Sequence, residues 1–187
     1  MDDEKIHVKM FHTFSIAYGQ HFINSDSMKS EKLVRLFAYL LSNHHRAIPS
    51  SELMDMLWYY DEVDNPVGAL KNLVYRLRSL LKKEFGLADL IITGKGTYSM
   101  NSAYQFEIDA ELFEALNERI LSSANTDLDD YQQCIDLYRG KYLMEIVDDH
   151  NILSKSAYYH SAYLDRVMEY ADLLEKNHEY EKMERVA

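Results

Sequence analysis

The chain has 187 residues, of which 47% are hydrophobic and 27% are charged, a composition typical of a folded globular protein. It contains a single cysteine, Cys134, no N-terminal segment resembling a secretory signal, and no apolar stretch of the roughly 18 residues that a bilayer span requires. These features argue against disulfide-stapled, secreted and membrane-spanning proteins, so we expect a cytoplasmic location and no membrane partner.

The formal net charge of −11 is distributed unevenly along the chain. Residues 1–101 contain 12 basic and 12 acidic residues, whereas residues 102–187 contain 8 and 19. Such asymmetry indicates two domains with different partners, which we place at 1–101 and 102–187. Within the first half, no acid interrupts positions 65 to 83, which hold five cations: Lys71, Arg76, Arg78, Lys82 and Lys83. This basic segment is a candidate site for a polyanion.

The first half is predicted to begin with strands and to continue with helices. Alternating apolar residues from Ile6 to Tyr18 predict two strands, and His21 to Ile23 a third. Leucines at helical spacing predict a helix over 30–43, and Pro49-Ser50 begins a short second helix with Ser50 as its cap.

The third helix and the segment after it are the clearest features of the sequence. Asn65 is the predicted cap, Pro66 occupies the first helical position, and leucines recur every three or four residues over 66–84. Two strand-like runs at 90–93 and 97–100 then flank Gly94-Lys95-Gly96, which predicts a β-hairpin with a basic tip.

The second half is predicted to be helical throughout. Asp109 is the expected cap of one helix, a second spans about 128–138, and a long third runs from about Ser154 to Lys176. A fourth is expected to start near Glu179, which suggests that this domain is truncated at its C-terminus. Successive helical hairpins of this kind favour a helical-repeat architecture.

The order of these elements resembles that of a known family. Strands, three helices and a closing hairpin form the OmpR/PhoB-type winged helix. The segments at 32–40, 51–58, 70–78 and 92–98 are similar to the DNA-binding half of Streptomyces-antibiotic-regulatory-protein (SARP) type activators. Asp109-Ala110-Glu111-Leu112-Phe113 and the run from Leu137 to Leu143 resemble the bacterial transcriptional activation domain (BTAD) that accompanies it.

This resemblance implies an α+β winged helix followed by an all-α, TPR-like domain, with double-stranded DNA as the partner of the first. In a winged helix the third helix enters the major groove and the hairpin reaches the backbone or minor groove. We predict that Arg76 pairs with guanine and Asn72 with adenine, and that Lys71, Tyr75, Arg78 and Lys95 contact phosphates. Lys82 and Thr97 complete the predicted set. A dimer on DNA is implied only by analogy.

Other chemistries find little support in the residues. Gly94-Lys95-Gly96-Thr97 lacks both the spacing and the following helix of a phosphate-binding loop. His44 and His45 project about 100° apart on a helix and have no further ligand nearby, and no catalytic triad or carboxylate pair stands at a useful spacing. We therefore predict no enzyme activity, no metal and no cofactor.

We predict that the protein is a sequence-specific DNA-binding transcriptional regulator and that it acts as an activator. Its acidic helical domain is expected to contact RNA polymerase or partner protomers. The alternative left open by the −11 charge is an interaction scaffold whose winged helix docks protein rather than DNA.

Overall fold

The computed structural model describes residues 5–59, 61–123 and 127–177. It divides into two compact units: Met1–Val8 with Phe14–Phe106, and Lys9–Thr13 with Glu107–Ala187. The fourth helix expected in the second half, from Glu179, lies outside the described residues.

The first unit contains the predicted strands and helices. Strands β1 (Lys5–Lys9), β2 (Ser15–Tyr18) and β3 (His21–Asn24) are followed by a one-turn helix, α1 (Ser25–Met28), that the sequence analysis missed. Helix α2 (Glu31–Ser42) is capped by Ser30, whose hydroxyl accepts from the backbone N–H of Leu33. Helix α3 (Ser50–Trp58) begins at Ser50, so the prediction that Ser50 caps it was wrong; the N-cap position is Pro49, without a side-chain bond.

The remaining elements of the first unit complete a winged helix. Helix α4 (Pro66–Phe85) precedes a hairpin of β5 (Ile91–Thr93) and β6 (Thr97–Met100). The hairpin is joined by a two-residue strand, β4 (Ile48–Pro49), in a sheet of order β4-β6-β5. The other sheet has the order β3-β2-β1-β7, in which β7 is Gln105–Ile108. The prediction that the second half is helical throughout was therefore wrong at these residues, which pair with β1. Buried leucines of the three main helices form the core.

The second unit consists of α5 (Asp109–Ser122), α6 (Leu128–Leu137) and α7 (His150–Lys176), with α6 packed against both α5 and α7. Helix α7 starts four residues before the predicted position, because Asp149 accepts from the backbone N–H groups of Asn151 and Ile152 and so caps it. Its core includes Phe113, Cys134 and Tyr170. The fold is thus a winged helix followed by a helical domain, as the sequence predicted.

The units differ from the predicted ranges because a short N-terminal segment, Lys9–Thr13, belongs with the second unit. The Asp109 carboxylate accepts from the backbone N–H of Met10 at 2.7 Å and of Phe11 at 3.2 Å. Asp109 is the first helical residue rather than the predicted N-cap, a position taken by Ile108. Its side chain therefore holds a segment almost a hundred residues earlier.

Candidate nucleic-acid interface

Helix α4 is defined at both ends by residues suited to those positions. The Asn65 side chain accepts from the backbone N–H of Gly68 at 2.9 Å, and Pro66 follows where its missing N–H costs nothing. At the other end Gly86 has φ 73°, and its N–H donates to the Lys82 carbonyl at 3.0 Å. The left-handed conformation stops the helix and favours glycine.

The two faces of α4 have opposite characters. Leu70, Leu73, Val74, Leu77 and Leu81 are buried in the core of the first unit and fix the rotation of the helix about its axis. The other face exposes five of the predicted site residues: Lys71, Asn72, Tyr75, Arg76 and Lys82. Tyr75 is 71% exposed, so its hydroxyl and ring are open to a ligand.

The polar groups of this exposed face are available to a ligand. Within the part of the chain that the structure describes, no hydrogen bond, ion pair or ring contact engages the side chains of Lys71, Asn72, Tyr75, Arg76 and Lys82. Lys83, one residue further, is bonded to Glu84 at 2.7 Å. The sequence pattern thus placed five unengaged side chains on one rigid face.

Arg78 is placed differently from the other predicted site residues. It is half-buried, and its Nη2 donates to the Ile91 carbonyl at 2.8 Å and to the Thr93 hydroxyl at 2.7 Å. Both acceptors belong to β5, the first strand of the hairpin. Arg78 therefore ties the hairpin to α4 and orients it. No spacing rule in the sequence connects an arginine to a carbonyl 13 residues later, so this contact was missed.

The hairpin presents Lys95 at an exposed turn. The Gly94 N–H donates to the Thr97 carbonyl at 2.9 Å, and Gly96 has φ 72°, a conformation that glycine adopts without strain. The Gly96 carbonyl accepts from the Ser50 N–H at 2.9 Å, which anchors the turn to the start of α3. Thr97 is half-buried and pairs with Pro49 through β6, so it is less accessible than Lys95.

Charge is graded along the interface. Asp61, Glu62 and Asp64 precede α4, whereas the first acid within the helix is Glu84 near its end. Acids before a helix N-terminus interact favourably with the helix dipole, but they repel phosphate. Asp61 is also ion-paired with Lys32, whose ammonium donates to the Leu57 carbonyl at 3.1 Å. The positive potential is thus expected over the middle and end of α4 and over the hairpin.

Two other kinds of site are absent from the same described ranges. No helix there is long and apolar enough to cross a bilayer. Residues 5–59, 61–123 and 127–177 also contain no group of three or more side chains arranged to hold a metal ion.

Comparisons with known proteins agree with this geometry. The family described as "Transcriptional regulatory protein, C terminal" matches residues 26–97, which span α2, α3, α4 and the hairpin turn. This is a family of regulators rather than of enzymes. No curated protein matches the sequence significantly.

Among solved structures, the chain is similar to Mycobacterium tuberculosis EmbR in complex with a low-affinity phosphopeptide. The TM-score is 0.67 and the identity 14%, over 97% of this chain and 51% of the EmbR chain. The chain therefore spans about half the length of that protein and shares the fold of that half. Residues 26–97 thus match a family of transcriptional regulatory proteins, and the chain as a whole has the fold of that half of EmbR.

Proposed function

We propose that this protein binds duplex DNA in a sequence-specific manner and regulates transcription, with 66–84 as recognition helix and 90–100 as wing. The observation that carries the proposal is the exposed face of α4, where donors that have no partner among the described residues stand on a helix fixed by its buried leucines. Specific readout requires such a face, because base edges lie deep in the major groove and tolerate little error in position.

The roles follow from the position of each side chain. Arg76 and Asn72 lie on the exposed face of α4 and are proposed to read guanine and adenine by paired hydrogen bonds. Lys71, Tyr75 and Lys82 flank them and are proposed to contact phosphates, as is Lys95 on the wing. Thr97 supports the wing contact.

Arg78 is proposed to act by holding the wing at a fixed angle to α4, through its bonds to Ile91 and Thr93. A phosphate contact, which the sequence suggested for it, is compatible with this role, because Nη2 is the only nitrogen used in these bonds. A variant at Arg78 therefore perturbs two features at once, and variants at Arg76 test base reading more cleanly.

The second unit is proposed to make protein contacts. It corresponds closely to the predicted BTAD-like domain, 102–187. Its excess of 19 acids over 8 bases repels DNA and leaves the α4 face as the surface that meets a duplex. The proposed partners of this unit are RNA polymerase or other protomers, and the proposed role of the protein is that of an activator. The competing function is a scaffold whose winged helix binds protein.

The test of DNA binding is selection from a randomised duplex pool at low salt with the wild-type chain, followed by sequencing of the retained duplexes. We expect enrichment of a short motif. No retention, even at low salt, would exclude the DNA-binding proposal and favour the scaffold.

For Arg76→Ala we expect a loss of about 1–3 kcal/mol on the selected motif and relaxed preference at one base pair. Arg76→Lys keeps the charge but not the paired geometry, so it should bind random duplex normally while losing the preference. Arg139→Ala, an exposed arginine of the second unit, is the control. Titration of motif and scrambled duplexes measures both effects, and equal losses on both would remove Arg76 from base reading.

For Lys95→Ala we expect weaker binding to every duplex and a slope of log K against log salt that is less steep by about one. The reason is that a phosphate contact releases counterions and carries no sequence information. Titrations at several salt concentrations give the slope. Lys141→Ala, which changes the net charge equally, should leave it unchanged; an equal change in both variants would indicate a general charge effect.

A further inference from the structure

Ser79 lies at the middle of the exposed face of α4. At about 100° per residue, it stands roughly 160–180° around the helix axis from Leu70, Leu77 and Leu81, which are buried in the core. Its own side chain is exposed. Any molecule that covers this face therefore approaches the helix most closely at Ser79.

The side chains around Ser79 are longer than its own. Tyr75 and Arg76 precede it by four and three residues and Lys82 follows it by three, which makes them its neighbours on the helix surface. All three are exposed. Long side chains can reach the phosphates that border a groove, whereas a hydroxymethyl group in the middle of the face is too short to do so. Base edges are thus the part of a duplex that lies within reach of Ser79.

The hydroxyl of Ser79 is held as a hydrogen-bond acceptor. Its Oγ donates to the carbonyl oxygen of Tyr75, one turn earlier, at 2.9 Å. A carbonyl can only accept, so the single hydroxyl proton lies in this bond. The lone pairs of Oγ remain, and no donor among the residues that the structure describes engages them. A ligand therefore meets an acceptor at this point of the face.

Ser79 adds this acceptor to a face whose cations are donors only. The guanidinium of Arg76 and the ammonium of Lys82 cannot accept a hydrogen bond. They match the acceptors of guanine and of phosphate, but not the exocyclic amines of adenine and cytosine, which project N–H groups into the major groove. The acceptor oxygens of Asn72 and Tyr75 turn with their flexible side chains, whereas the Ser79 hydroxyl is fixed close to the helix backbone.

We propose that Ser79 is a specificity-determining residue of the α4 face, whose hydroxyl accepts a hydrogen bond from the exocyclic amine of one adenine or cytosine in the major groove. This inference rests on the proposed function, since it requires α4 to enter that groove. Ser79 is not among the site residues predicted from the sequence.

Removal of one amine at a time tests the contact. In the duplex motif selected by the wild type, each adenine in turn is replaced by purine nucleoside and each cytosine by 2-pyrimidinone nucleoside, both of which lack the exocyclic amine. These duplexes are titrated with the wild-type chain and with Ser79→Ala. At one position we expect the replacement to weaken wild-type binding about two- to tenfold and to leave the affinity of Ser79→Ala unchanged. At the other positions both proteins should respond alike, because a weakened base pair affects them equally.

Ser154→Ala is the matched control. The Ser154 hydroxyl is also exposed and also donates to the carbonyl four residues earlier, that of His150, at 2.8 Å, but it lies on α7 in the second unit. This variant should bind every duplex as the wild type does. Ser79→Ala should fold normally, since alanine favours a helix more than serine does, and urea unfolding checks this. On random duplex its affinity and salt dependence should equal those of the wild type, because no phosphate contact is lost.

Two results would overturn the proposal, and they differ in what they leave standing. If the wild type enriches a motif but every amine removal costs the wild type and Ser79→Ala equally, Ser79 does not read a base, and the proposed function stands. If the wild type enriches no motif, the role of Ser79 and the proposed function fail together.

Discussion

Replacement of Phe11 by alanine is expected to destabilise the second unit by about 3–5 kcal/mol. Phe11 is 1% exposed and its ring meets four aromatic rings of that unit, with centroids 5.1 Å from Tyr159, 5.2 Å from Tyr138, 5.6 Å from Phe113 and 6.3 Å from Tyr142. Three of these are edge-on, a favourable geometry. Removing the ring leaves a cavity that these neighbours fill only in part.

Urea unfolding monitored by two spectroscopic signals shows which unit loses stability in Phe11→Ala. Far-UV circular dichroism reports all helices, whereas the fluorescence of Trp58, the single tryptophan, reports the first unit. We expect Phe11→Ala to shift the dichroism transition more than the fluorescence transition. Phe22→Ala removes a ring that is 60% exposed and is the matched control. It should lower the free energy of unfolding far less than Phe11→Ala does. Similar losses in both variants would contradict the packing role of Phe11.

The parts of the fold that sequence predicted are those whose causes are local. Asn65, Pro66 and Gly86 define α4 through bonds and backbone preferences within one turn, so both ends could be read from the sequence. The exposed face of α4 follows from the leucine spacing in the same way. The glycines around Lys95 predicted the hairpin.

The parts that sequence missed depend on distant partners. Strand β4 has only two residues and exists because Ile48 pairs with Tyr98, fifty residues later. Arg78 was assigned to phosphate because its bonds to β5 require the folded hairpin. The assignment of Lys9–Thr13 to the second unit likewise rests on contacts with Asp109 and on the bond from the Leu143 N–H to the Met10 carbonyl at 2.7 Å. Periodicity contains no information on such pairs.

The stability of the second unit is expected to fall as pH rises from about 4 to about 6, because of Asp109. Burial raises the pKa of this carboxyl from 3.8 to about 6, although the N–H groups of Met10, Phe11 and Ala110 and the charge of Lys9 lower it. Between these two pKa values the native state binds more protons than the unfolded state, so unfolding becomes easier with rising pH. The contribution totals about 3 kcal/mol and is constant above the upper pKa.

Asp109→Asn is expected to abolish this pH dependence. The amide oxygen keeps an acceptor for Met10 and Ala110, which both bond to Oδ1, while the amide nitrogen replaces the acceptor of the Phe11 N–H. The variant should therefore be less stable than the wild type at pH 4. Between pH 4 and pH 7 the free energy of unfolding of the wild type should fall by about 3 kcal/mol relative to that of the variant, so the difference shrinks or changes sign. Urea unfolding at each pH, followed by circular dichroism, measures it. Glu118→Gln changes an exposed carboxyl of the same helix, and its free energy of unfolding should depend on pH in the same way as that of the wild type. If the stability of Asp109→Asn also ran parallel to that of the wild type, the carboxyl would have the same pKa in the folded and unfolded states, and its three hydrogen bonds would offset its burial.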